Sequence, residues 1–245
     1  MATVKHYKYA YWQRAAAKQG LAVGQYHLGY ALESGTGIQK NPGLALQWMQ
    51  KAAAQGLVYA QDRLGEMYRD GIGAKPNAEQ AIQWFTRATE AGYFIAERKL
   101  ADMYIGLGQF ADAEPHAKKS YDTIYKIYGP SHYEAARAQL SLADIQAYYH
   151  KNPDRAVKLL LKVVTTLENL FGKEHWELLR PLRTLADIYA QRQKFALSKA
   201  ALDRAIKIAR GQFGDEHTQV ASTLDFLGGY YEAQGKFERA KNSYR

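Results

Sequence analysis

The chain has 245 residues, 47% of them hydrophobic, which is enough for a continuous apolar core. It has no cysteine, which excludes disulfides, thiolate metal sites and a cysteine nucleophile. The net charge of +9 is spread along the chain, since residues 1–99 carry 12 Lys+Arg against 7 Asp+Glu and residues 100–245 carry 21 against 17. Because neither part is a basic block, the charge pattern favours a solvated surface over a nucleic-acid-binding one.

No stretch of the sequence is suited to cross a membrane. A membrane-spanning helix needs a run of about 18 or more apolar residues, and the chain contains none. The first residues also lack the uninterrupted apolar stretch of a signal peptide. The sequence therefore predicts no transmembrane segment.

Tryptophan and glycine recur in the first part of the chain at a fixed interval of 36 residues. The recurring residues are Trp12, Trp48 and Trp84, followed by Gly20, Gly56 and Gly92. A fixed interval of this size is typical of tandem units that stack on one another to bury their apolar faces. We expect the tryptophans to pack between helices rather than to form an exposed carbohydrate-binding ladder.

The best-defined repeat covers residues 57–92. Apolar residues at spacings of three and four predict a first helix over residues 58–69. Gly71 then favours a turn, because glycine accepts positive φ and weakens a helix interior by about 1 kcal/mol. Asn77 is suited to cap a second helix, which is expected to end at Gly92. Each repeat is therefore predicted to be an antiparallel pair of helices.

From residue 100 onward the repeats lengthen. A Leu-Ala-Asp triplet, or Leu-Gly-Gly in the last case, recurs at steps of 42, 43 and 42 residues, starting at Leu100, Leu142, Leu185 and Leu227. The second helices are predicted to be longer than in the first part by about six residues. A Gly-x-x-His turn follows each long helix, and the histidines of these turns are His132, His175 and His217. These histidines lie on successive turns and cannot converge on one metal ion, so we expect them at helix starts.

Two families are similar to these two kinds of repeat. The first part resembles the Sel1-like repeat at Leu64-Gly65, Tyr68, Gly71-Ile72-Gly73, Ala81, Trp84, Ala88 and Gly92. The second part resembles the kinesin-light-chain-type tetratricopeptide repeat at residues 185–189, residues 234–237, Ala240 and the Gly-x-x-His turns. The resemblance implies an all-α fold, a right-handed α-α superhelix or solenoid of antiparallel helix hairpins, which binds other proteins.

The resemblances also divide the chain. We expect Sel1-like repeats over residues 1–108 and tetratricopeptide repeats of about 42 residues over residues 109–245, in one continuous solenoid. The first and the last unit match only part of a repeat. We therefore expect the chain to be a segment of a longer protein.

The first helices of such hairpins are expected to line a concave groove. Residues two and five positions from each repeated leucine then face the groove, by helical periodicity. The predicted partner-binding residues are Tyr26, Tyr30, Tyr59, Asp62, Glu66, Arg69, Arg98, Asp102, Arg137, Asp144, Arg180, Arg183 and Asp187. Tyrosine and arginine are enriched at interfaces, which supports this interpretation. Alternatively, Arg180, Arg183 and Asp187 pair with one another as solvated ion bridges, each contributing at most about 1 kcal/mol.

The sequence contains no constellation for catalysis. The glycine pairs at residues 35–37 and 71–73 neither follow a predicted strand nor precede the Lys-Ser/Thr of a phosphate-binding loop. No nucleophile–base pair or metal cluster occurs either. The sequence therefore predicts that the chain is not an enzyme and has no cofactor and no metal.

The favoured function is a non-catalytic scaffold that binds a partner protein or peptide in the concave groove. One alternative is an adaptor in a bacterial envelope assembly, for polysaccharide export or cell-wall remodelling, which the Sel1-like resemblance alone supports. The other is a nucleic-acid-binding solenoid, motivated by the positive charge. The resemblance favours the bacterial periplasm or cell envelope over the cytoplasm, and the lack of cysteine fits both.

Overall fold

The computed structural model describes residues 12–243, and within this range the regular structure is helical, with no strand. The predicted all-α class of helix hairpins is therefore confirmed. The chain divides into two compact units, Met1–Met103 and Tyr104–Arg245. The helices that begin in the first unit are α1 (residues 12–18), α2 (Ala22–Ser34), α3 (Pro42–Ala54), α4 (Val58–Asp70), α5 (Ala78–Glu90) and α6 (Phe94–Gly106).

Asparagine caps start the second helices of the first unit. The side chain of Asn41 accepts a hydrogen bond from the Leu44 N–H at 3.0 Å, and that of Asn77 accepts one from the Gln80 N–H at 3.0 Å. Gly71 follows α4 with a φ of +73°, a conformation that glycine adopts without strain. The helices α4 and α5 therefore lie where the sequence predicts them.

A glycine allows α4 and α5 to approach closely. A Cβ atom on Gly65 would lie 2.7 Å from the Phe85 ring, closer than nonbonded carbon atoms can be. Phe85 is fully buried, as are Leu64 and Met67 on the facing helix. The absence of a side chain at Gly65 therefore leaves the space that the Phe85 ring fills.

The repeated tryptophans differ in their surroundings. Trp48 and Trp84 are half-buried and pack against the apolar core of the first unit, as the sequence predicts. Trp12, at the edge of the described residues, is 68% exposed, so the expectation of interhelical packing fails for its side chain.

The second unit has longer second helices. The helices α7, α9 and α11 contain 19 residues each, against 13 in α3 and α5, which confirms the predicted difference. Its elements are α7 (Phe110–Tyr128), α8 (Tyr133–Asp144), a π-helical turn (Ile145–Tyr149), α9 (Pro153–Phe171), a 3-10 turn (Trp176–Leu178), α10 (Leu179–Gln191), α11 (Phe195–Phe213), α12 (Thr218–Glu232) and α13 (Phe237–Ser243). Apolar side chains of α8, α9, α10 and α11 form its core.

Histidines start the first helices of this unit. The Nδ1 atom of His217 accepts a hydrogen bond from the Gln219 N–H at 3.1 Å, and its ring stacks on Phe213 with centroids 4.5 Å apart. The same arrangement recurs at His132 and His175. The predicted position of the histidines at helix starts is therefore confirmed.

Candidate functional site

An ion network covers the first helices of the first unit. Lys99 on α6 places its Nζ atom 2.6 Å from Asp62 Oδ2 and 2.7 Å from Glu66 Oε1, both on α4. Arg63 on α4 binds Glu66 at 2.5 Å and also binds Glu33 on α2. We call these five residues the unit 1 ion network. It joins neighbouring first helices by charge-assisted hydrogen bonds.

The two carboxylates that share Lys99 have opposite pKa shifts. Burial raises the pKa of Asp62, and Lys99 offsets only part of this effect. Burial also acts on Glu66, but Lys99 and Arg63 outweigh it and hold the pKa of Glu66 below its ordinary value. Asp62 Oδ1 is buried and has no hydrogen-bond partner among the described residues. Glu66 is therefore the better-stabilised anion of the two.

The predicted groove residues of the first unit fall into two groups, charged and aromatic, and the charged ones bind other residues of the chain. Asp62 and Arg98 are buried, and Arg98 binds Asp102 at 2.9 Å, so these charges interact within the chain. Arg69 binds its neighbour Asp70 at 2.7 Å.

The aromatic residues of the prediction are more accessible. Tyr30 and Tyr59 are each more than half exposed, while Tyr26 is half-buried. The ring of Tyr59 meets that of Tyr93 edge to face, with centroids 5.5 Å apart. A role of these residues in binding a partner stays a prediction.

Sequence reasoning missed two central residues of the ion network. Arg63 and Lys99 directly precede the repeated leucines Leu64 and Leu100, and they lie 36 residues apart, the interval of the repeat. His27 holds the same position in the preceding repeat. A column of basic residues at the repeat interval was therefore a signal available in the sequence.

In the second unit, polar bonds also connect neighbouring first helices. Arg180 on α10 donates from Nη2 to Asp144 Oδ2 on α8 at 2.7 Å, and Asp144 is buried. Tyr148 donates its hydroxyl proton to Asp187 at 3.0 Å. Arg137 donates to the Tyr133 hydroxyl at 3.2 Å. The first two bonds thus link predicted groove residues across adjacent hairpins, whereas the bond of Arg137 lies within α8.

Arg183 differs from the other charged residues of this face. Its Nη1 atom donates to the Ser222 hydroxyl at 3.0 Å and lies 3.4 Å from the Gln219 side-chain oxygen, both on α12. Its guanidinium carbon lies 5.7 Å from the centre of the Phe226 ring. Burial, followed by the nearby Arg180 charge, lowers the pKa of Arg183. No carboxylate within residues 12–243 forms an ion pair with it.

A cavity of about 300 Å³ lies between α10 and α12 and shares Phe226 with the arginine. Small residues widen it, and acidic residues line part of it. Its lining consists of Ala186, Asp187, Ala190, Gln191, Asp225, Phe226, Gly229, Tyr230 and Ala233. We call Arg183, Phe226 and this cavity the arginine–cavity site. It offers a fixed cation beside a space that fits one side chain of moderate size.

Within the described part of the chain, no group of three or more His, Asp or Glu residues is arranged to hold a metal ion. None of the helices in that part is both long enough and apolar enough to traverse a bilayer.

Comparison with sequence families assigns both parts of the chain. The tetratricopeptide repeat profile matches residues 93–175 and 177–245, more than half of the chain. The Sel1 repeat profile matches residues 22–57 and 58–93. Both resemblances drawn from the sequence are thereby confirmed. No curated protein matches the sequence significantly.

Solved structures show the same fold at low sequence identity. A Sel1 repeat protein from Oxalobacter formigenes superimposes with a TM-score of 0.58 at 20% identity, over 97% of this chain and 94% of that chain. A putative kinesin light chain from Podosopora anserina, with nearly identical TPR-like repeats, gives 0.54 at 19% identity over 76% and 90%. BtubC from P. vanneervenii gives 0.51 at 15% identity over 99% and 88%.

Tetratricopeptide and Sel1 repeats build protein–protein interaction scaffolds, because their stacked hairpins present extended surfaces of side chains. The hairpins, caps and repeat intervals described above agree with this assignment. The chain belongs to the tetratricopeptide repeat family, with Sel1 repeats in its N-terminal part.

Proposed function

We propose that the chain is a non-catalytic scaffold that binds a segment of a partner protein at the arginine–cavity site. The observation that carries this proposal is Arg183, a half-buried cation that lies over Phe226 beside an open cavity and has no carboxylate partner among residues 12–243. An arginine in such a setting binds an incoming carboxylate through two parallel hydrogen bonds.

The site is also preorganised. Ser222 and Gln219 already hold the guanidinium, so little side-chain entropy remains to be lost when a partner binds. The adjacent cavity of about 300 Å³ accepts a side chain of the same segment. Asp187 and Asp225 on the cavity wall would accept hydrogen bonds from the backbone of that segment.

Site-specific photocrosslinking tests this proposal in the cells that make the protein. A photoreactive residue at position 225 on the cavity wall should capture a discrete partner, identified by mass spectrometry. The same residue in place of the exposed Ala200 on α11 serves as the matched control and should capture much less.

The charge reversal Arg183→Glu should then abolish the crosslink at position 225, because it replaces the cation with an anion that repels the carboxylate of the partner. A crosslink that survives this change, or equal capture from both positions, would place the binding surface elsewhere.

A further inference from the structure

A second surface of the second unit, on the second helices α7 and α9, carries cations that form no ion pair with another described residue. Three cavities of about 580, 610 and 720 Å³ adjoin there, because each pair of them has lining residues in common. The residues shared by two cavities include Tyr121, Gln139, Arg155 and Lys162. We call this surface the α7/α9 groove. Its floor is formed by α8, and it lies apart from α10 and α12, which carry the arginine–cavity site.

The corresponding surface of the next repeat, between α9 and α11, is closed by ion pairs. Between α9 and α11, Arg204 binds Glu168 at 2.6 Å, and Lys207 binds Glu174 at 2.5 Å. Arg204 also donates to the Lys173 carbonyl oxygen at 2.8 Å. The first of these bonds joins the two second helices, and the other two join α11 to the turn that follows α9.

The equivalent bonds are missing one repeat earlier. With the glycines of the Gly-x-x-His turns aligned, Glu168 corresponds to Tyr125, Glu174 to Ser131 and Arg204 to Lys162. Of the two basic residues, the one at Arg204 is kept as Lys162, whereas Lys207 corresponds to Thr165, and both carboxylates are replaced by neutral residues. Lys162 has no ion pair within the described part of the chain, and a cavity of about 580 Å³ lies among Lys162, Tyr125 and Ser131.

The groove as a whole has more positive than negative charge. Lys118, Arg155, Lys158 and Lys162 line it, and none of these cations forms an ion pair within residues 12–243. Two carboxylates, Glu114 and Asp122, also line it, and Glu114 already binds His150 at 2.9 Å. Charge complementarity therefore calls for an acidic ligand.

The floor of the groove shows what kind of acidic ligand fits. Gln139 lines two of the cavities and is only 8% exposed, yet its side-chain amide has no hydrogen bond to another described residue. The polar atoms of this amide are still open to the groove, so a ligand can form hydrogen bonds with them in place of water. Its carbonyl and NH₂ groups match the N–H and C=O of a peptide bond. Leu159 and Tyr121 beside it provide apolar contact area.

We propose that the α7/α9 groove binds an acidic peptide segment of a partner protein. A carboxylate of this segment takes the place that Glu168 holds in the next repeat and binds Lys162. The Gln139 amide binds the backbone of the segment, and Tyr121 and Leu159 contact its apolar side chains. The proposal is independent of the arginine–cavity site, because different helices form the two surfaces.

Fluorescence anisotropy with a labelled hexapeptide of alternating glutamate and leucine tests the proposal on the full chain. Lys162→Glu should weaken binding by about tenfold or more, as expected when an attractive charge contact becomes repulsive. Tyr125→Glu should weaken it similarly, because the new carboxylate then binds Lys162 within the chain, as Glu168 binds Arg204. Lys75→Glu, which reverses an exposed cation that lines neither site, is the matched control and should leave the affinity for this probe unchanged.

Two checks complete the experiment. Thermal unfolding should show that both variants fold, and Tyr125→Glu should not lower the midpoint, since both changes fall on exposed residues. Unchanged affinity in Lys162→Glu and Tyr125→Glu would overturn the proposal. So would tighter Lys162-dependent binding of a homopolymeric RNA than of the peptide, or a dimer of the chain that Lys162→Glu dissociates in sedimentation.

Discussion

Lys99 binds Asp62 and Glu66 at almost the same distance, 2.6 and 2.7 Å, but the two carboxylates differ in how well the fold tolerates their charge. The pKa of Asp62 is raised by burial, and that of Glu66 is lowered because Lys99 and Arg63 outweigh its burial. A raised carboxyl pKa means that ionisation opposes folding, and a lowered one means that ionisation favours it.

We therefore expect opposite effects from neutralising these two carboxylates. Glu66→Gln should lower the free energy of unfolding at neutral pH by roughly 1–3 kcal/mol, because two cations lose a shared partner. Asp62→Asn should cost little at neutral pH, and its stability relative to the parent should rise as the pH increases above about 4, where Asp62 ionises in the unfolded chain. Urea unfolding at several pH values, followed by circular dichroism, measures both effects.

The exposed Glu90→Gln on α5 is a suitable control and should show neither effect. A larger loss for Asp62→Asn than for Glu66→Gln at neutral pH would contradict this account of the unit 1 ion network.

Two arginines three residues apart on α10 should differ in their contribution to stability. Arg180→Met leaves the buried Asp144 without its guanidinium partner, which we expect to cost about 2 kcal/mol or more. Arg183→Met removes a cation that has no carboxylate partner among the described residues, so we expect a change within about 1 kcal/mol. Chemical unfolding of the two variants compares them directly, and the reverse order would show that Arg183 is mainly a structural residue.

Two glycines should respond in opposite ways to alanine. Gly65→Ala places a methyl group 2.7 Å from the Phe85 ring, and we expect it to destabilise the first unit by about 1–3 kcal/mol. Gly211→Ala on α11 meets no atom within 4 Å and should stabilise by about 0.5–1 kcal/mol, since alanine is the better helix former. Thermal unfolding midpoints of the two variants test this pair, and a neutral Gly65→Ala would mean that α4 and α5 pack less closely than described.

The sequence was a good guide to the helices and a weaker guide to the site. Spacing and caps placed α4, α5 and the histidines correctly, because these features depend on neighbouring residues along the chain. The rule for groove residues counted positions from each leucine and found Arg180 and Arg183. It did not separate them, because one binds a carboxylate from α8 and the other only neutral groups from α12.

By itself, the sequence determined the all-helical fold, the two repeat lengths and the change between them, since a repeat interval is a property of the chain alone. Tertiary structure decided which charges are neutralised. Lys99 binds Asp62 from another hairpin, whereas Lys162 only shares a cavity with Tyr125 at the position where Arg204 binds Glu168. Pairing of these cations depends on residues more than 30 positions away, and the distance in space is set only when the hairpins pack.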